Sequence, residues 1–228
     1  LSVGAEVTAL DLTFSIDQAG IVIDGARIVA GGGSISIEPL TIPLDATQAY
    51  SGVIVLDRVQ LGDLIADTGF DDKVLLDAVV SGRLPFIMDP KRGLKVTAGK
   101  LEAVQPGRLS IKREVLTDVA ASGGGEEVSE NMVEDLAYQA MENLSFDQLS
   151  ADVNSLDGGR IAVLFHIRGR HDPPQRQELR LTLSELISRS FLNRKLPLPS
   201  NTQIDLTLDT TLNANQLISD LMAVNRAR

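Results

Sequence analysis

The sequence contains no cysteine and no tryptophan. Without cysteine there are no disulfides, no thiolate nucleophiles and no cysteine-based zinc or iron–sulfur sites. The compartment stays open, because exported proteins also manage without cysteine. Aromatic residues make up 4% of the 228 positions, too few for an aromatic stacking platform. Lysine and arginine number 21 against 31 aspartates and glutamates, a formal charge of −10, and no dense basic block occurs. The long-range field repels phosphate backbones, so nucleic acid is not an expected partner. No apolar run approaches the ~18 residues of a membrane-crossing helix, and no charged n-region with an apolar stretch follows Leu1. The sequence reads as a piece of a longer chain, with any signal or membrane anchor outside it.

Aliphatic side chains are abundant. Apolar residues reach 43%, mostly Leu, Ile, Val and Ala, enough for a sizeable core. Their spacing is mainly that of strands. Leu10, Leu12, Phe14 and Ile16 alternate with polar residues, Ile21 and Ile23 follow a glycine turn, and Ile35, Ile37, Leu40, Ile42 and Leu44 continue the pattern around Pro39. A short run covers Val53 to Leu56, and Leu61, Leu64 and Ile65 share one face of a helical turn. From Val79 a meander resumes, punctuated by Gly82, Gly93, Gly99 and Gly107, with Pro85 and Pro106 suited to edges or strand starts.

The stretch TDVAASGGGEE, residues 117–127, is the candidate boundary, because three successive glycines hold no fixed backbone cheaply. It divides the chain into a β segment, 1–116, and a C-terminal β segment with helices, 128–228. Val128, Met132, Leu136, Ala140 and Leu144 recur every four residues, predicting an amphipathic helix from about Glu127 to Asn143, the longest in the chain. Beyond it, Leu149, Ala151 and Val153, then Ile161, Val163, Phe165 and Ile167, then Leu179, Leu181 and Leu183, and finally Ile204, Leu206 and Leu208 read as strands. Thr182 and Glu185 have capping-box spacing for a short helix, and Asn213 suits the cap of a last one. Strand and helix do not alternate regularly enough for a parallel sheet.

Candidates for catalysis are thin. His166 and His171 are five apart, a spacing that neither a strand nor a helix brings onto one metal. His166 falls on the polar face of its strand, and His171 is placed past a glycine, in a loop with Asp172. Asp172 before Pro173-Pro174 reads as turn chemistry. The triple glycines at 31–33 and 123–125 lack the Lys-Ser/Thr of a phosphate loop. Ser110 and Ser145 have no nucleophile-elbow setting. No catalytic residue, metal ligand or cofactor is nominated, and the chain is not expected to be an enzyme.

The repeated one-sided pattern leaves two architectures. One is a sheet folded on itself as a sandwich or barrel with a filled core. The other is a curled antiparallel sheet, mainly β with a few short helices and one longer amphipathic helix, that leaves an elongated open groove.

Two stretches carry a family resemblance. SGRLPFIMDPKRGLKVTAGKLEAVQPGRLSI has the pattern Gly-x-Leu-Pro followed by Gly-x-Leu-x-Ala-x-x-Pro-Gly. MENLSFDQLSADVNSLDGGRIAVLFHIRGRHDPP, with LPLPSNTQIDLTLDTTL after it, joins Asn-Leu-Ser-Phe, Asp-Gly-Gly-Arg, Gly-Arg-His-Asp-Pro and Pro-x-x-x-x-Ile-Asp-Leu. Together they resemble the YdbH-like proteins of the AsmA-like group, over roughly residues 50 to 228, with the first 50 contributing only their strand pattern. The resemblance implies intermembrane phospholipid transport in a Gram-negative envelope. It implies a taco-like, half-barrel β-groove spanning the periplasm, anchored in the inner membrane by an N-terminal segment outside this sequence. The partners it implies are phospholipid acyl chains, the outer membrane, and a small outer-membrane lipoprotein adding a strand at an exposed edge. The groove lining is then expected from Ile161, Val163, Phe165, Ile167, Leu179, Leu181, Leu183, Ile204, Leu206 and Leu208.

Overall fold

Alternating aliphatic and polar residues send successive side chains to opposite faces, and the chain uses that period almost throughout. A computed structural model describes residues 8–30, 32–65, 74–112, 132–180 and 196–213. They form one 13-stranded sheet in which every pairing is antiparallel. The strands are β1 (Ala9–Ile16), β2 (Gly20–Ala30), β3 (Gly33–Ile37), β4 (Leu40–Pro43), β5 (Tyr50–Gln60), β6 (Val74–Asp77) and β7 (Val79–Asp89). They continue with β8 (Gly93–Val96), β9 (Gly99–Ala103), β10 (Gly107–Ile111), β11 (Leu144–Ser155), β12 (Arg160–His171) and β13 (Gln203–Asn213).

Several short strands are pieces of one longer run. β3 and β4 lie end to end against β2, from Ala30↔Gly33 to Gly20↔Pro43. β6 and β7 lie end to end against β10 and β9, and β8, β9 and β10 follow one another along β7 and β11. The breaks fall where ladder chemistry fails, at Pro39, at Ala98 with φ 51°, and at Pro106. Joined this way, the runs follow each other across the sheet in sequence order, an up-and-down meander. β1 and β13 stand at its two ends and do not pair with each other, so the sheet is not a closed barrel. Strands from both sides of the glycine-rich stretch belong to the same sheet, since β9 and β10 pair with β11. Residues 117–127 themselves lie outside the described residues, as do the predicted capping box at Thr182 and the predicted last helix beyond Asn213.

The two ends of the strands differ. At one end sit tight turns made by aspartate. Asp17 accepts from the N–H groups of Ala19 and Gly20, Asp45 from the N–H and hydroxyl of Thr47, and Asp89 from the N–H groups of Lys91 and Arg92. The Thr47 hydroxyl and then its N–H hold the Asp45 carboxyl below its usual range, and the N–H groups of Lys91 and Arg92 do the same for Asp89. The other end carries the two helices of the described residues, α1 (Leu61–Ile65) and α2 (Met132–Glu142). Helix α2 packs against β10 and β12, and the Ser110 hydroxyl donates to the Glu142 carbonyl at 2.6 Å.

One apolar cluster gathers Leu56 and Val59 of β5, Val80 of β7, Leu109 and Ile111 of β10, Leu144, Phe146 and Leu149 of β11, and Ile167 of β12. A second holds Phe86, Val96, Ala151, Val153 and Val163. Bulges at Thr13/Phe14, Leu56/Val59 and Phe146/Gln148 bend the strands, and the sheet curls toward this side. Glycines make room for bulky neighbours on it. A Cβ at Gly52 would lie 2.6 Å from Leu40 and 2.8 Å from the Phe86 ring, and one at Gly99 would lie 2.7 Å from Leu84.

The sheet differs from the sequence reading at two places. His171 is the last residue of β12, opposite Leu144, and is buried, because Gly169 lets the strand run flush against the backbone of Ser145 and Phe146. Leu179 belongs to no strand. After Pro173-Pro174 the chain ties to Ser200 instead, with Gln177 N–H donating to Ser200 Oγ at 2.8 Å and Ser200 N–H to Gln177 O at 3.0 Å. Leu181 and Leu183 lie outside the described residues.

Crowding under Phe86 predicts that Gly52→Val overpacks the curled side and lowers stability by about 1–3 kcal/mol in urea unfolding. Gly25→Ala, where nothing lies within 4 Å of the new Cβ, should change stability by no more than about 0.5 kcal/mol.

Candidate functional site

Residues directly opposite in an antiparallel pair share a face, so the register defines the apolar side strand by strand. On β12, Ile161, Val163, Phe165 and Ile167 face Leu212, Thr210, Leu208 and Leu206 of β13, and Gly169 faces Ile204. On the other flank the same four face Ser155, Val153, Ala151 and Leu149 of β11. The side continues through Leu101 and Ala103 to Gly82 and Val80, and through Leu84 to Ile54 and Ile37. It reaches Ile28 and Leu10, Ala26 and Leu12, Ile23 and Phe14, and Ile21 and Ile16 at the first edge. An aliphatic surface thus crosses the whole sheet from β1 to β13.

Seven of the ten expected lining residues, Ile161, Val163, Phe165, Ile167, Ile204, Leu206 and Leu208, share this side. Val163 and Ile167 are buried, at 6% and 1% exposure, and the other five are half-buried. Leu179 is apart from it and exposed. The barest part of the side is one that the expected lining omits. On β1, Leu10, Leu12, Phe14 and Ile16 are 67%, 53%, 56% and 66% exposed. Their alternation was plain in the sequence. That no described residue covers them was not, because cover depends on what lies across the sheet.

The opposite side is polar and holds His166. Its Nε2 lies 4.0 Å from Asp152 Oδ2, and its Nδ1 lies 3.4 Å from the Thr207 hydroxyl. Nearby, Arg168 pairs with Asp205 at 3.0 Å. The bulge at Asp147 shapes a shallow recess of about 480 Å³ here, lined by Glu102, Asp147, Gln148, Ser150 and His166 among others. His171 points the other way, since an odd spacing along one unbulged strand puts the two imidazoles on opposite faces. Its Nε2 is 3.5 Å from Gln177 Oε1, and its buried Nδ1 has no partner among the described residues. Among the described residues no three of His, Cys, Asp and Glu are grouped to hold a metal, and no helix is long and apolar enough to cross a membrane.

The apolar side and the chain's motifs have a counterpart among known families. The family described as YdbH-like, intermembrane phospholipid transport protein YdbH, matches residues 1–184. The chain belongs to the YdbH-like family. The match takes in the first 50 residues, which on sequence reading contributed strand pattern alone, and it ends before β13. No curated protein and no solved structure matches the chain. Membership in the YdbH-like family implies intermembrane phospholipid transport, lipid binding and a place in the cell envelope.

Burial separates packing from exposed surface within this YdbH-like sheet. Ile167→Ala should lose about 2–5 kcal/mol of stability by the cavity it leaves, whereas Phe14→Ser should shift stability by no more than about 0.5 kcal/mol. Chemical denaturation of the two variants side by side checks both.

Proposed function

We propose that this chain is the C-terminal part of a periplasm-spanning protein whose curled sheet carries phospholipid acyl chains along its apolar side between inner and outer membranes. The observation that carries the reading is the unbroken aliphatic face from β1 to β13, bare where it begins. Each methylene withdrawn from hydrocarbon into water costs about 0.8 kcal/mol, so a chain of ~16 carbons costs on the order of 12 kcal/mol and a two-chain lipid about twice that. A surface of Leu, Ile and Val substitutes for bilayer at nearly equal free energy while the headgroup stays in water at the open side. Neither a covalent intermediate nor a cofactor is needed. Conduction favours weak, even contacts over one deep aromatic pocket, and the scarcity of aromatic residues suits that.

On this reading the protein is held in the inner membrane by a segment outside the sequence, and its C-terminal end meets the outer membrane. Among the described residues β13 pairs only with β12, so its outer edge has free backbone groups. A strand from a small outer-membrane lipoprotein would pair there by ordinary ladder bonds.

A second reading, a structural or assembly module of the envelope with a filled core, is favoured by the fully buried centre, where Val59, Val80, Leu144, Phe146 and Ile167 are below 2% exposure. One experiment separates them. Photocrosslinking residues placed at Leu12, Val163 and Leu206 in cells should capture phospholipid, and one at Thr207 on the polar face should not. Equal, background-level capture at all four positions would favour the module.

A further inference from the structure

The bare residues of β1, from Leu10 to Ile16, extend roughly 20 Å along the strand, enough to lay down an acyl chain from one leaflet of a bilayer whose core is ~30 Å thick. At the turn end of the sheet Ile16 runs directly into Asp17. On the neighbouring run Leu44, 61% exposed, runs directly into Asp45. The two turns stand side by side, since Gly20 lies opposite Pro43. An exposed aliphatic side chain and a carboxylate thus adjoin twice at one corner of the apolar side. Asp17 Oδ1 accepts from the N–H groups of Ala19 and Gly20 at 2.7 and 3.1 Å, and Asp45 Oδ1 accepts from the N–H and hydroxyl of Thr47 at 2.9 and 2.7 Å. These donors are neutral, so they fix each carboxylate at the rim and leave its charge in place. At Asp45 the same donors, hydroxyl first, hold the carboxyl below its usual range, which favours the charged form.

Cations are scarce around this corner. Residues 8–26 and 33–57 contain no lysine or arginine, and residues 8–60 as a whole hold six carboxylates against two arginines. Of those two, Arg27 lies opposite Asp11 and Ser36 on the polar side, and Arg58 belongs to the helix-bearing end of β5. Lys91 and Arg92 stand one turn further along the rim, between β7 and β8, beside Asp89. At the other end of β1 the neighbouring residues, Thr8, Val29, Ala30 and Gly33, are uncharged. A phospholipid with a tail along β1 therefore meets negative charge where its head reaches the turns. An ammonium there is attracted to Asp17 and Asp45, whereas a headgroup that carries only phosphate charge is repelled. In water both effects are modest and screened by salt. We propose that the β1 corner of the apolar side prefers phospholipids with an ammonium headgroup, of the ethanolamine type, over purely anionic ones, and that Asp17 and Asp45 make the distinction. The inference deepens the lipid-carrying reading above and rests on it.

The test places a photocrosslinker at Leu12 of the full chain, where it reacts with tails, and exposes the protein to vesicles of equal phosphatidylethanolamine and phosphatidylglycerol with the same acyl chains. Both headgroups come from one vesicle, so repulsion between the acidic protein and the membrane acts on both alike. Mass spectrometry of the captured lipid should show phosphatidylethanolamine enriched several-fold over the vesicle ratio. Asp17→Asn with Asp45→Asn keeps an oxygen for the turn donors, as asparagine does in such turns, and should return capture to the vesicle ratio. Glu102→Gln with Asp209→Asn removes the same charge from the polar side and should leave the enrichment unchanged. Raising salt from about 0.02 to about 0.5 M should erase the enrichment in the unaltered chain, a readout that needs no rim substitution. Capture of both lipids in the vesicle ratio by the unaltered chain overturns the preference and leaves the lipid-carrying reading intact. An enrichment that survives the rim substitutions, or that the polar-side pair abolishes equally, overturns the roles of Asp17 and Asp45. No capture of either lipid overturns the lipid-carrying reading and the preference with it.

Discussion

Everything in this molecule follows from one mismatch: a sheet with a continuous aliphatic side that does not close upon itself. A barrel would remove both edges and bury that side all round. Here β1 and β13 stay apart, and curling hides the side only where strands β5 to β12 crowd together. Bulges supply the bend, and glycines at positions such as 52 and 99 let Phe86 and Leu84 lie over a neighbouring run. Toward β1 the same pattern of residues is left facing outward. A soluble domain rarely tolerates a large bare aliphatic surface without a use for it.

The division of labour between the faces is equally physical. Charged and hydroxyl side chains, with His166, Arg168, Asp152 and Asp205 among them, pair with one another on the wet side, where such pairs add little stability. On the dry side such groups are few, with Ser155, Thr210 and, at its helix-bearing end, His171 among them. A surface of this composition grips nothing by direction or charge. Flexible hydrocarbon has neither direction nor charge to match, and the family to which the chain belongs is one of phospholipid transport.

Much of this was legible beforehand, and the reasons are local. Alternation is a property of a few residues, so β1, β2, β5, β11, β12 and β13 stand where the pattern put them. The breaks at Pro39 and Pro106 are covalent facts about proline. The helix predicted from about Glu127 to Asn143 is seen as Met132–Glu142 within the described residues. Leu179 misled because its alternation has the right period. Whether a run becomes a strand depends on a free partner edge, and after Pro173-Pro174 the chain ties to Ser200 instead. His171 misled because a glycine reads as the end of a strand, whereas Gly169 serves close approach to β11.

The sequence alone determined that this chain is an antiparallel β protein with one greasy and one wet side, because side-chain direction follows from a two-residue period written into neighbouring positions. Only the tertiary structure decided how that greasy side is apportioned, bare on β1 and filled beneath β11 and β12. Exposure is set by what lies across from a residue in space, and that depends on curvature, edge pairing and long-range contacts which no local pattern encodes.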